Sequence, residues 1–408
     1  MLQQYSSSEL KLRVLRTQPV IDQGRKGIVL SDPMGISDHM VFVPGPLTLL
    51  LPLLDGTRDI PMLKTGFELR TGFPISDMTV EQVVHQLDEA LFLDNARFSL
   101  AYTGVLKEYR SAISRPQVLT GMCCPVEPVE LGVFLDSYLQ QPGNNKQKRP
   151  AAVKGIISPH IDYERGGNVY AKVWSQAKEA LLGTELIVIL GTDHNDIEAN
   201  ISLTYQSYET PWGIVATDKQ AVDELAGELG DTIFKYELHH RKEHSIEAAL
   251  IWAHYLLKDT QYEVLPILCG SFQQFIDSNE SPTNEKVIRS TIEHLKRLIE
   301  RRRTVIVAAA DLAHQGPVFG DPRPLDLVGR ARMARHDEEL VSIMCRGNAE
   351  EFFALIREEG DSRHVCGVSP IYMALSALSG ADGRPAGYAQ CPASEDATSM
   401  VSICGILY

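Results

Sequence analysis

No stretch of this 408-residue chain is apolar over the length needed to cross a bilayer, about 20 residues in a helix. The run Leu47 to Leu54 is too short and is broken by Pro52. Met1 to Leu10 carries no apolar signal core, so a cytoplasmic location is the expectation. Positive charge is in deficit: the formal net charge is −14. That balance argues against a nucleic-acid-binding surface over the whole chain. The seven cysteines include no CxxC pair, which excludes a zinc ribbon or the common redox motif. An odd number without a signal segment reads as free thiols. GxGxxG and GxxxxGK[ST] are missing, so no standard dinucleotide or phosphate loop is present. HExxH and GxSxG are missing too, which removes the common metalloprotease helix and the nucleophile elbow.

What the chain does have is the length for two domains and an apolar content of 44%, that of a soluble globular protein. Residues 1–115 are expected to form an accessory domain. Alternating apolar positions over 11–30 predict a small hairpin, and a helical run from Gly45-Pro46 to Leu54 ends in Asp55-Gly56 turn chemistry. Asp77 to Leu93 predicts an amphipathic helix with Val80, Val83, Val84, Leu87 and Leu91 on one face. Leu91 to Phe98 then reads as a wing strand. The pattern resembles a winged helix, as in the peptide-clasp domains of peptide-modification systems. Residues 116–150 form a connector with a helix over Val129–Leu139 and a polar, exposed stretch from Gln140 to Pro150.

From 151 to 408 strands alternate with helices. Strands are predicted at 152–158, 186–191, 262–269, 304–310 and 400–407. Helices are predicted at 167–182, 218–229, 244–258, 285–302, 325–346, 349–359 and 368–379. That alternation predicts an α/β layer fold with a largely parallel sheet.

Four polar clusters stand after or beside these apolar segments: Pro159-His160-Ile-Asp162, Gly191-Thr-Asp193-His194, Glu243-His244-Ser-Ile-Glu247 and Asp311-Leu-Ala313-His314. Ligands in open α/β sheets bind outside the carboxyl ends of the strands, so the clusters are expected to converge on one site. His160 and His194 are candidate metal ligands, since neutral imidazole is the commonest ligand for zinc, iron and copper. Asp311 is the candidate third ligand, with His244 as the alternative. His244, Glu247 and His314 are candidate acid/base groups; His244 and Glu247 are three apart and share a helix face. The alternative for that pair is a helix cap. His239 and His240 read as surface residues.

Ser158-Pro-His-Ile-Asp-Tyr, Leu190-Gly-Thr-Asp-His, Thr210-Pro-Trp-Gly, Glu243-His-Ser-Ile-Glu, Asp311-Leu-Ala-His and Cys366-Gly-Val-Ser-Pro together resemble the Memo family, including the B component of the AmmeMemoRadiSam system. The resemblance runs from about Thr120 to Tyr408. It implies a three-layer α/β/α domain similar to class III extradiol dioxygenases, though a shared fold does not carry the ring-opening reaction with it. It also implies iron or copper held by two histidines and a cysteine. The histidines match His160 and His194. The cysteine position is read as Ala313, which lowers the expectation for copper more than for iron. Strand alternation then puts Asp311 and Ala313 on the pocket side and turns His314 away.

Two functions stay open on the sequence. One is a non-haem metal oxidoreductase acting on a small-molecule or peptide substrate beside a radical-SAM enzyme and other Memo-system proteins. The other is a non-catalytic binding or scaffold protein with a vestigial pocket. A zinc hydrolase is a third reading. Removing residues 1–115 should leave the remainder soluble with its metal uptake unchanged; wholesale aggregation of the shortened chain would overturn the two-domain division.

Overall fold

The computed structural model of the protein describes residues 6–22, 24–141, 150, 152–196, 198 and 200–408. Most of the polar stretch expected to be exposed, residues 142–149, lies outside them, as do Met1 to Tyr5. The chain divides into two compact units, Met1–Ser111 and Ala112–Tyr408.

The first unit opens with strands β1 (Arg16–Asp22), β2 (Arg25–Ser31) and β3 (Met40–Pro44), paired antiparallel in that order. A 3-10 helix over Gly45–Leu53 follows, then helices α1 (Ile60–Thr71), α2 (Asp77–Glu89) and α3 (Ala96–Ser111). Leu30, Leu50, Leu53, Leu63, Val80, Val84 and Leu87 form its core. The expected wing strand over Leu91–Phe98 needs correction. Leu93 makes a single antiparallel bridge to Leu12, and the chain then turns helical. The reason is local: the Asn95 side chain accepts the Phe98 N–H at 3.1 Å, a cap that starts α3.

The second unit begins with α4 (Pro128–Leu139), β4 (Gly155–Ser158), α5 (Tyr163–Leu181), β5 (Leu186–Thr192) and β6 (Ile201–Leu203). The hairpin β7 (Tyr208–Thr210) and β8 (Gly213–Val215) precedes α6 (Lys219–Leu229), α7 (Ser245–Leu257) and β9 (Glu263–Cys269). Next come α8 (Gln273–Ser278), α9 (Lys286–Arg301), β10 (Thr304–Ala309) and the two-residue β11 (His314–Gln315). Helices α10 (Leu327–Cys345), α11 (Ala349–Glu358) and α12 (Val368–Leu378), with strands β12 (Arg384–Pro392) and β13 (Met400–Leu407), complete the chain.

The strands run β11-β13-β4-β10-β5-β9-β6, with β12 on β13. Strands β4, β10, β5 and β9 are parallel. The outer strands are antiparallel, so the sheet is mixed, with the expected parallel strands at its centre. The reason at one edge is that β12 and β13 follow each other directly, and a short connection reverses the chain. Strand β12 was not foreseen, because Pro385, Gly387 and Pro392 disguise it.

Alternation along β5 builds the two helical layers. Leu186, Val188 and Leu190 pack with α6, α9, α11 and α12. Ile187 and Ile189 pack with α4, α5 and α7. All seven cysteines are free thiols. Among the described residues, no helix is long and apolar enough to cross a membrane.

One glycine fixes how β5 meets α7. A Cβ on Gly191 would lie 2.6 Å from both Ser245 Oγ and Ile246 Cγ1. Gly191→Ala should destabilise the protein by about 1–3 kcal/mol through overpacking, measured by denaturant unfolding. An unchanged midpoint would show that the helix does not lie this close.

Candidate functional site

Strands β4, β10 and β5 are neighbours, so their carboxyl ends deliver His160, Asp311 and His194 side by side. The ring centroids of His160 and His194 lie 5.0 Å apart. His244 stands just before α7, stacked on His194 at 5.1 Å. Cys366 comes from the turn before α12. Its carbonyl accepts the Thr192 hydroxyl at 3.3 Å, and the Gly367 N–H donates to Asp311 O at 3.2 Å.

Each histidine is held from behind. His160 Nδ1 donates to Ala309 O at 2.9 Å, which leaves Nε2 facing Cys366 Sγ at 3.5 Å. His194 Nδ1 bonds Glu243 Oε2 at 3.0 Å. The other Glu243 oxygen accepts the N–H groups of His244 and Ser245 at 2.8 and 2.9 Å, anchoring the start of α7. Such partners fix ring orientation and leave the opposite nitrogen for a ligand.

Charge in the cluster is coupled. Burial lowers the His160 imidazolium, but the Asp311 carboxylate and the Cys366 sulfur outweigh it and raise it to about 9. Burial lowers His194 as well, and Glu243 more than reverses this, leaving it well above the ordinary range. Burial raises the Cys366 thiol, yet the charges of His160 and His314 and hydrogen bonds from His160 and His194 bring it down to about 5. The arrangement is an anionic sulfur beside two cationic rings.

The donor atoms of His160, His194 and Cys366 all lie within 4.8 Å of one another, as do those of His194, Glu243 and His244. Either trio can hold a cation. The first contains a soft thiolate and two imidazoles, the donor set suited to a transition metal.

Several expectations change here. The sulfur beside the histidines is that of Cys366, whereas Ala313 is buried with Met333 and Met400. Strand parity failed because β10 ends at Ala309, before Asp311 is reached. Hence both Asp311 and His314 line the main cavity. Asp311 Oδ1 accepts the N–H groups of His160 and Ile161 at 2.9 and 3.3 Å, and Oδ2 lies 3.7 Å from His160 Nε2. It therefore holds His160 in place and stands outside the donor trio. His314 Nδ1 bonds Leu312 O at 3.1 Å, and its ring meets Phe319 edge-on. Glu247 does not reach the cavity. It is fully buried, paired with Arg115, and accepts the N–H groups of Val118 and Leu119 at 2.9 Å. His239 and His240 are buried rather than at the surface: His239 pairs with Asp193 at 2.6 Å, and His240 bonds the Tyr208 hydroxyl at 2.8 Å.

The main cavity measures about 600 Å³ and is lined by His160, His194, His244, Asp311 and His314, with Arg165 and Lys242 on its wall. A second cavity, of about 290 Å³, reaches His194 and Cys366 and is edged by Asp193, Asp196 and Asp361.

A family model described as Memo-like protein matches residues 115–407. The chain belongs to the Memo-like family. A MEMO1 family protein of Aquifex aeolicus is 29% identical over 378 residues, 90% of each chain. An alignment of that length reaches into the first unit as well as the second. A MEMO1 family protein of Methanosarcina barkeri is 24% identical over 64% of this chain and 86% of its own. One of Thermus thermophilus is 25% identical over 70% and 80%.

Within this Memo-like fold the Glu247 carboxylate is structural. Glu247→Ala should cost about 3–5 kcal/mol, because it strands the buried Arg115 charge; chemical denaturation measures it. Unchanged stability would return Glu247 to the candidate acid/base groups.

Proposed function

We propose that His160, His194 and Cys366 hold one transition-metal ion, iron or copper, and that the protein uses it in redox chemistry beside a radical enzyme. The observation that carries this reading is the convergence of three donor atoms within 4.8 Å, with both imidazoles fixed from the far side by Ala309 O and Glu243. A metal would displace the protons on the two Nε2 atoms and bind the Cys366 sulfur as the thiolate. With Cys366 supplying the thiolate, the reason for ranking copper below iron lapses, since thiolate is the donor that soft, reduced copper prefers.

When bound, the ion supplies a Lewis acid and a one-electron couple. The protein's own groups do the rest. Glu243 orients His194, and Asp311 fixes the backbone of His160. His244 and His314 line the same cavity and can hold or move a proton at a substrate placed there. The cavity volume admits a small molecule or a peptide side chain. The radical-enzyme partner is taken from the system that the sequence motifs resemble.

The test is metal content by elemental mass spectrometry, after anaerobic exposure of the full chain to Fe(II), Cu(I) or Zn(II) in turn. His160→Ala, His194→Ala and Cys366→Ser should each lose the ion, and Ala313→Cys should change nothing. Glu243→Gln should lower affinity by about 10–100-fold, the usual effect of losing an orienting partner. Equal uptake by the parent and all three ligand variants would sink the proposal and leave the non-catalytic binding reading. Retention of zinc alone, with hydrolysis of simple esters that chelators abolish, would favour a hydrolase.

A further inference from the structure

Part of the main cavity wall is the turn from Leu119 to Cys124. The turn closes through a bridge between Thr120 and Cys124, with the Gly121 N–H donating to Cys124 O at 2.8 Å. Gly121 has φ +80°, the left-handed conformation that such a tight reversal asks of glycine. The Leu119 carbonyl is the focus of the turn. It accepts the N–H groups of Met122 and Cys123 at 3.1 Å each. It also accepts both thiols, Cys123 Sγ at 3.5 Å and Cys124 Sγ at 3.8 Å. Both sulfurs are therefore gathered around one carbonyl oxygen. Met122 and Cys123 line the cavity that holds the histidine cluster. Met122 is 82% exposed, Cys123 half-buried and Cys124 buried.

Two adjacent thiols can form a disulfide or hold a metal. Neighbouring Cα atoms are about 3.8 Å apart, below the usual disulfide span of roughly 4.4–6.8 Å. A bond between them would be strained and readily reduced, so the resting state is the dithiol. A dithiol is a pair of soft donors.

We propose that Cys123 and Cys124 form a second metal site in the wall of this cavity, for a soft, thiophilic cation of the monovalent copper type. Capture forms two sulfur–metal bonds and releases the two thiol protons to solvent; no electrons are transferred. The site does not depend on whether His160, His194 and Cys366 hold an ion. Its place on the same cavity suits it to take up a cation on the way to them.

The experiment is anaerobic titration of the full chain with Cu(I) buffered by a chromogenic chelator. The parent should take up one equivalent more than the Cys123→Ser/Cys124→Ser double variant. Cys366→Ser should keep that equivalent. Because Cys124 is buried and its replacement can disturb the turn, Cys123→Ala is the second variant, with folding checked by circular dichroism. It should weaken the same equivalent by at least about tenfold, the lower range for damaging a metal site. Uptake by Cys123→Ala and the double variant equal to the parent's overturns the proposal. Uptake lost only with Cys366→Ser also overturns it and leaves the histidine site standing. Uptake lost only with the cysteine pair supports it and sinks the histidine site instead.

Discussion

The buried pair of Arg115 and Glu247 is the constraint on which the site depends. Arg115 lies outside any helix or strand, yet it is fully buried. Its guanidinium donates to the carbonyls of His240 and Glu243 as well as to the Glu247 carboxylate. Glu247 in turn accepts the N–H groups of Val118 and Leu119. One ion pair thus ties three segments together: the strip 115–119, the turn before α7, and α7 itself. Taking two charges from water costs several kcal/mol per ion unless nearly every donor and acceptor is matched. Here the backbone supplies much of the matching. The consequence for function is indirect and strong, because Glu243 is held where it can orient His194, and the thiol-bearing turn is held against the cavity.

The cluster itself shows charge winning over burial. His160 and Glu243 are buried, Cys366 is half-buried and the His194 side chain is 32% exposed; lost hydration opposes charge on each. Each is instead kept charged by a neighbour of opposite sign within about hydrogen-bonding distance. Such a site is stable only as a set: remove one member and another is left buried without compensation. A bound cation would fit this balance, since it replaces protons and keeps the net charge near that of the proton-filled cluster.

Much of the layered domain was legible in the sequence. The five apolar runs ending at Ser158, Thr192, Cys269, Ala309 and Leu407 are strands, because continuous apolar runs of that length mark strands covered on both faces. His160 and His194 were legible for the same reason, as polar residues at the abrupt ends of such strands. Short edge pieces such as β6 and β11 were not, since two or three residues carry no period, and neither was β12 with its prolines. At the amino end, the apolar face of α2 was visible, whereas the start of α3 depended on one asparagine cap.

What the sequence by itself determined, then, is the order of strands and helices and the two histidines, because periodicity and strand ends are properties of neighbouring residues. Only the tertiary structure decided the third donor and the roles of the carboxylates. Cys366 follows His160 by some two hundred residues, and although it stands in a motif that carries the family resemblance, only packing shows that its sulfur meets an imidazole. Ala313 lay beside the right motif but past the end of β10, where alternation no longer says which way a side chain points. Glu247 and Asp311 looked alike as carboxylates near histidines. One faces a buried arginine and the other two backbone amides, and that difference arises from packing between segments far apart in the chain.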